Sequence, residues 1–375
     1  MSELSAPPPI PPILAAPTPR RRGLGLGSLV ILGLAGLVGL GCVILFVASH
    51  LLSGGNTHTH GTGRVGASEL VETTLEDHGS DDKVAIIEIQ GVITGESPGG
   101  GRASLVDDVR DQLQRIEDDD AVKAVILRVD SPGGEVLASD EIYEALRKFQ
   151  IDTEIPVVAS MGSLAASGGY YVSAPCRWIV AHPLSLTGSI GVIFHGYNYR
   201  GLMDKVGVRP EVVKSGKLKD MFSGELRLED ELPEEKTILK DLVAESFARF
   251  KQVIREGRDW AAKANQTNPI TGGRTLAPNW EEFADGRILS GRQALDLGLV
   301  DELGSTDAAI ARAMTLADID SANVVTYQSP PHFSDFLRFL GKAGVNRIQV
   351  DLGSINLLTK LPQGRLYFLS PTHLH

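Results

Sequence analysis

The stretch Met161–Tyr171, MGSLAASGGYY, constrains this chain more than any other. An apolar strand, Ile155–Met161, runs into small residues around Ser167, and two glycines and two tyrosines follow at once. Gly168–Pro175 is suited to start a helix. A serine at such a junction can project its hydroxyl, and the adjacent glycine lets a substrate backbone come close. Helix-start N–H groups point where an oxyanion would form. A tight Gly/Ser turn that merely packs strand on helix has the same spelling, so the segment needs support from the rest of the chain.

The surrounding pattern gives that support. Val84–Ile93 (VAIIEIQGVI) reads as a strand, and Leu105–Ile116 as a helix with Leu105, Val109, Leu113 and Ile116 on one face. Ala124–Val129 reads as a buried strand, followed by Ser131-Pro-Gly-Gly134 and a helix over Val136–Phe149. Trp178–Ala181 and Ser189–Phe194 are further strand candidates. Pro233–Lys263 reads as a long charged helix, and Ile288–Gly304 as a turn, a short helix, then strand and turn. Strands alternating with helices predict an α/β fold with a mainly parallel sheet and right-handed crossovers. Sites in such sheets gather at the carboxyl ends of strands, where both Ser131–Gly134 and Ser167 fall.

The N-terminal part is of another kind. Met1–Pro19 holds seven of the chain's twenty prolines, and Arg20, Arg21 and Arg22 follow. Leu29–Val47 is then nineteen consecutive apolar, Gly or Cys residues, and no formal charge occurs from Gly23 to Gly63. A helix of that length spans roughly the 30 Å hydrocarbon core of a bilayer. The expected organisation is a proline-rich cytoplasmic tail (1–22), a transmembrane helix (23–49), a flexible linker (50–82), the α/β domain (83–320) and a C-terminal tail without assigned role (321–375). Arginines on the N-terminal side predict a cytoplasmic N-terminus and an extracytoplasmic domain. A cleaved signal peptide is the competing reading, against which stand the length of the apolar run and the leading prolines.

Composition excludes several functions. A net charge of −11 in 375 residues argues against nucleic-acid binding, which leaves a basic footprint. No zinc-type Cys/His spacing and no phosphate-binding GxxxxGK[ST] occurs, so no metal or cofactor is expected. His58 and His60 in THTHG read as part of an exposed linker. With only Cys42 and Cys176, a disulfide framework is not expected.

A serine needs a base to become a nucleophile. His182 and His195 lie in no recognisable motif and read as loop or surface residues. The other source is Val213–Gly224, VKSGKLKDMFSG, with Lys214, Lys217 and Lys219. A lysine serves as base only when burial or nearby positive charge lowers its pKa from about 10.4. On charge alone the segment reads as a solvated loop.

In this order, SPGG, AASGGYY, TGSIGV and KSGKLKD resemble the signal peptide peptidase A family of membrane-bound serine proteases, over roughly Lys83–Ser305. The segment ILSGRQALDLGLVDELG also fits. The resemblance implies the Clp protease/crotonase-like fold, a spiral of ββα units, and a homo-oligomer whose neighbouring subunits share a site. It implies Ser167 as nucleophile, Lys219 as general base and Ser189 as the serine orienting that lysine. It also implies that the loop of Gly133 and Gly134, with Gly168, stabilises the oxyanion. Lys214 and Lys217 stand as neighbours whose charge lowers the pKa of Lys219, or as substrate contacts. The implied activity is digestion of signal-peptide remnants and other hydrophobic peptides near the membrane, without cofactor. The readings set against it are a crotonase-type acyl-CoA enzyme and a catalytically silent membrane scaffold.

Overall fold

In strands β2, Lys83–Gln90, and β3, Val122–Ser131, successive side chains point to opposite sides and both sides are apolar. Ala85, Ile87 and Ile89 with Val125, Leu127 and Val129 enter one core. Val84 and Ile86 with Ala124 and Ile126 enter another. A strand buried on both faces calls for helices on both, which is the parallel α/β solution. The computed structural model describes residues 70–96, 104–230, 232–266, 273–329 and 366–369, all within one compact unit, Thr62–His375.

In chain order the elements are β1 (Val71–Glu76), β2, α1 (Leu105–Glu117), β3, β4 (Gly133–Glu135), α2 (Val136–Thr153) and β5 (Val157–Ala165). There follow α3 (Gly168–Ser173), β6 (Trp178–Ala181), β7 (Leu186–Gly188), β8 (Ile193–Phe194), α4 (Arg200–Val206) and α5 (Pro233–Gln266). The last are β9 (Ile288–Ser290), α6 (Gly291–Asp296), β10 (Glu302–Leu303), α7 (Thr306–Ala317), β11 (Asn323–Gln328) and β12 (Leu366–Leu369). The main sheet runs β1-β11-β2-β3-β5-β6-β10, parallel except for the antiparallel edge pair β1–β11, with β7 and β9 attached beyond β5. A second, three-stranded sheet has the order β4-β12-β8.

Helices α1 and α2 cover one face of the main sheet. α1 is capped by Ser104, whose hydroxyl accepts from Asp107 N, and it buries Val106, Val109, Leu113 and Ile116. α7 covers the other face with Ala309 and Ala313. α5 is tied to the sheet by the buried ion pair of Arg258 with Asp301. The carboxylate also accepts from Ile179 N at 2.8 Å, and Arg258 donates to Cys176 O at 3.2 Å.

Most expected elements are present within a few residues of their bounds. Ser189–Phe194 is not one strand: Ser189 has φ 49°, which interrupts extended backbone, so β7 ends before it and β8 starts after it. Val71–Glu76, from the stretch read as linker, pairs as an edge strand, and Asn323–Gln328, from the stretch read as tail, lies between β1 and β2. The segments 1–22 and 23–49 lie outside the described residues. Among the described residues no helix is long and apolar enough to cross a membrane.

Candidate active site

β5 ends at Ala165 and the chain turns at once into α3, with Ser167 as its N-cap. Ser167 has φ 56° and ψ −115°, a conformation that costs a non-glycine residue about 1–3 kcal/mol. Hydrogen bonds on every side hold it there. Ser167 N donates to Gly188 O at 2.8 Å, Ala166 N to Ser131 O at 3.1 Å, Gly169 N to Ala166 O at 2.9 Å and Tyr171 N to Ser167 O at 2.9 Å. The residue is 1% exposed, and its Oγ has no hydrogen-bond partner among the described residues. Leaving a buried hydroxyl unpaired costs about 1–3 kcal/mol, so this one is held for something other than stability.

β4 crosses directly in front of this turn. A Cβ on Gly168 would stand 3.0 Å from Gly133 Cα and 3.0 Å from Gly134 N, so only glycine lets the two backbones touch. Gly133 adds a φ of 97°. The N–H groups here have distinct fates. Gly133 N donates to Ser131 Oγ at 3.0 Å, and Ser131 Oγ donates to Gly91 O at 2.6 Å. Glu135 N donates to Ile93 O at 2.8 Å. Successive strand residues turn their N–H groups to opposite sides, so Gly134 N faces the other way, toward β12. Gly168 N is a first-turn helix donor, for which no intrahelical acceptor exists. Of the three glycines expected to stabilise an oxyanion, Gly168 thus carries a donor without intrahelical acceptor and Gly134 one that faces β12, while the Gly133 N–H is engaged by Ser131.

Ser189 is 3% exposed and follows Gly188, the acceptor of Ser167 N; its own N donates to Arg287 O at 2.7 Å. The structure therefore brings together Ser167, Gly133, Gly134, Gly168 and the backbone at Ser189. Lys219 is elsewhere. It sits exposed in a run of turns, its N donating to Gly216 O at 3.2 Å, and its ammonium is outside hydrogen-bonding distance of Ser167 Oγ. Lys214 pairs with Asp220 at 2.7 Å and so holds that carboxyl below its usual range; Lys217 pairs with Glu234 at 2.6 Å. Lys219 makes no side-chain hydrogen bond or ion pair among the described residues. Neither histidine substitutes for it. His182 Nδ1 accepts from Leu184 N at 3.2 Å, and His195 lies edge-on to Tyr197.

Beside β4 opens a cavity of about 1360 Å³ whose wall includes Glu135, Tyr171, Phe194, Lys219, Arg249 and Leu366. Next to it Tyr171 and Phe250 pack on each other and on Phe368 of β12, and Tyr143 lies edge-on to Tyr171. Tyr171 donates to Asp140, which pairs with Arg249 at 3.0 Å. Burial first, and this bond second, raise the Tyr171 phenol far above its ordinary value; burial and then the Glu256 charge push Tyr143 up to about 12. Both phenols stay neutral under physiological conditions.

The SPGG spelling marks its glycines but not the role of Ser131 Oγ, whose bond with the Gly133 N–H exists only in the folded turn. Phe250 is one of several apolar residues on a charged helix, and β12 is a four-residue apolar run between Pro362 and Pro371, so neither stands out in the sequence.

A strained serine at a strand-to-helix turn, facing a glycine strand on a parallel α/β sheet, is an arrangement suited to a serine hydrolase. Comparison with known proteins specifies the class. The peptidase family S49 profile matches residues 150–320, and the Clp protease profile matches residues 98–190, in agreement with the mixed α/β sheet. An Enterococcus faecium protein named as a signal peptide peptidase SppA is 35% identical over 303 residues, covering 78% of this chain and 83% of the relative. A protein of Synechocystis sp. named as a protease is 40% identical over 242 residues, covering 64% and 77%. The chloroplastic serine protease SPPA of Arabidopsis thaliana is 34% identical over 262 residues, covering 69% of this chain and 36% of that one. The chain belongs to the S49 family of SppA-type peptidases and is a serine peptidase.

Proposed function

We propose that the protein is a membrane-anchored endopeptidase in which Ser167 is the nucleophile and Lys219 of a neighbouring copy is the general base. The observation that carries this reading is the Ser167 hydroxyl: buried, unpartnered among the described residues, and held on a strained turn against Gly134 and Gly168. Lys219, whose ammonium has no partner among the described residues while Lys214 and Lys217 are ion-paired, is the cation free to travel to a second copy. Its segment favours such a copy. α4 buries no residue, and Leu202, Val206, Val208 and Val213 stand exposed within a single chain. A neighbour covering them would also remove Lys219 from water, and that desolvation favours the neutral amine a base must be.

In this reading Lys219 takes the Ser167 proton as the serine attacks a peptide carbonyl. The oxyanion forms against the Gly134 and Gly168 N–H groups, the lysine protonates the leaving amine, and water hydrolyses the acyl-enzyme. Ser189 orients the lysine. We read the sheet as a spiral of ββα units, residues 23–49 as a single transmembrane helix, and the domain as extracytoplasmic. The relatives named signal peptide peptidase support hydrophobic signal-peptide remnants as substrates. The test is active-site labelling: a fluorophosphonate adduct on Ser167, absent in Lys219→Ala, is the expected result. An adduct elsewhere would overturn the assignment.

A further inference from the structure

We propose that Ser131 is a positioning residue of this peptidase: its hydroxyl fixes the oxyanion donor of β4 in front of the Ser167 turn. The proposal rests on the reading of Ser167 as nucleophile and of the Gly134 and Gly168 N–H groups as oxyanion donors. Ser131 closes β3 and is fully buried. Three segments around the site hang on it. Its Oγ donates to Gly91 O at 2.6 Å, in the chain that leaves β2, and accepts from Gly133 N at 3.0 Å, at the start of β4. Its carbonyl accepts from Ala166 N at 3.1 Å, one residue ahead of Ser167. A Cβ on Gly169 would stand 2.8 Å from Ser131 O and 3.4 Å from Ser131 Cβ, so the first turn of α3 packs on the same residue.

The hydroxyl does what no apolar side chain of its size can. It is donor and acceptor at once, and both capacities are used. Pro132 has no N–H, so Gly133 N is the first amide after β3 that can be anchored. Beside it, Ile93 N donates to Gly133 O at 2.9 Å and Glu135 N to Ile93 O at 2.8 Å, which ties β4 to the chain after β2. Among the described residues the Ser131 hydroxyl makes the one hydrogen bond that joins β4 to β3, and so to the turn carrying the nucleophile. Gly133 stands at φ 97° and has no Cβ, so without that bond its peptide planes can turn. The plane between Gly133 and Gly134 carries the Gly134 N–H. Ser131 therefore acts through Gly134 and not on the substrate itself.

Ser131→Ala takes this partner from the Gly133 N–H and from the Gly91 carbonyl, and β4 settles elsewhere. An oxyanion exists only after attack, so a misplaced donor lowers kcat and leaves KM alone. Outright loss of such a donor costs about 10²–10³-fold in kcat, and displacing one should cost about 10–100-fold. A peptide aldehyde, whose hemiacetal oxygen sits where the oxyanion forms, should lose affinity by a similar factor.

The experiment uses the full-length protein in detergent and a fluorogenic peptide. Competent sites are counted as the fraction of chains that a fluorophosphonate labels on Ser167 at completion, and kcat is expressed per labelled site. Expected for Ser131→Ala are a kcat per site about 10–100-fold below wild type, a KM within about twofold of it, and the matching loss of aldehyde affinity. A merely structural role would lower the labelled fraction and the melting temperature but leave kcat per site at the wild-type value, and that result would overturn the proposal. A raised KM with unchanged kcat would overturn it too. If Ser131→Ala does not fold, Ser131→Cys decides by the same readings, because a thiol fills the place with only a weak donor and a weak acceptor. A wild-type protein that takes no adduct on Ser167 would sink the nucleophile reading itself, and the proposal with it.

Discussion

The turn around Ser167 and the lysine-bearing segment Val213–Gly224 are built in opposite ways. The first is buried between β3, β4 and β5, and its backbone is pinned by Gly188, Ser131 and Ala166. The second buries none of its residues, and apart from Gly224 O, which accepts from Tyr199 N, its backbone hydrogen bonds are short-range, such as Lys219 N to Gly216 O and Ser223 N to Asp220 O. A buried network fixes a side chain to the precision that acyl transfer requires, whereas solvent-facing turns leave theirs adjustable. One half of the proposed dyad is therefore preorganised within a single chain. The other half gains its position only when something packs on it.

Removing either half tests that contrast most severely. Ser167→Ala and Lys219→Ala should each lower peptidase turnover by about 10⁴-fold or more without loss of fold. Co-assembled oligomers of the two dead variants should regain part of the activity, because some interfaces then pair an intact serine with an intact lysine. No recovery in oligomers shown to be mixed would place both groups in one chain.

The next largest difference concerns stability. Asp301→Ala strands Arg258 in the core that underlies the Ser167 turn, and loss of one partner of such a buried pair typically costs about 3–5 kcal/mol. Thermal unfolding followed by circular dichroism should show a steep fall. Asp220→Ala, which frees Lys214 in the exposed segment, should leave the melting curve where it was. Comparable losses from both would mean that the two regions are equally structural.

Gly133→Ala sharpens the comparison within the rigid half. Its Cβ would meet Phe368 O at 2.0 Å and Gly168 N at 2.6 Å, so β4 must shift away from α3. Displacing oxyanion donors lowers turnover by about 10²–10³-fold, to be read as kcat on an added peptide. An unchanged kcat would exclude this strand from the site.

The smallest effect is expected far from both regions, at the Glu72–Lys83–Asp119 cluster on the sheet edge. The hydrogen bond to Glu72, with that to Asp119, raises Lys83 above its ordinary value despite burial. Burial pulls Asp119 upward, but hydrogen bonds from Tyr327 and Lys83 outweigh it and hold the carboxyl low. Asp119 thus contributes stability above its unfolded pKa of about 3.9 that is lost as pH falls through the folded value. Lys83 contributes below about 10.4, and that part is lost as pH rises through its folded value. Asp119→Asn should flatten the acid limb of melting temperature against pH and leave peptidase activity alone. An unaltered acid limb would remove this cluster from the account.

Much of this was legible in the chain itself. Many strands and helices from Lys83 to Gly304 follow from apolar runs and period-3.6 patterning, though β7 and α4 do not and Ser189–Phe194 is no single strand, and a serine at the end of a strand ahead of two glycines follows from MGSLAASGGYY. Other parts were not. Thr306–Ala317 packs through alanines, which carry little periodic contrast. Asn323–Gln328 and Leu366–Leu369 are short runs whose partners lie at Lys83–Ala85, Gly133–Glu135 and Ile193–Phe194, and no local pattern encodes a pairing across hundreds of residues.

What the sequence alone determined is therefore local: which segments are apolar on one face or two, where glycine permits contact, and which hydroxyl and amines are available. Tertiary structure alone decided that the Ser131 hydroxyl engages the Gly133 N–H, that Phe368 lies among Tyr171 and Phe250 with its carbonyl against Gly133, and that Lys219 stands apart from Ser167. Hydrogen bonds and ring contacts form between groups distant along the chain. Only the closing of the sheets brings them within reach.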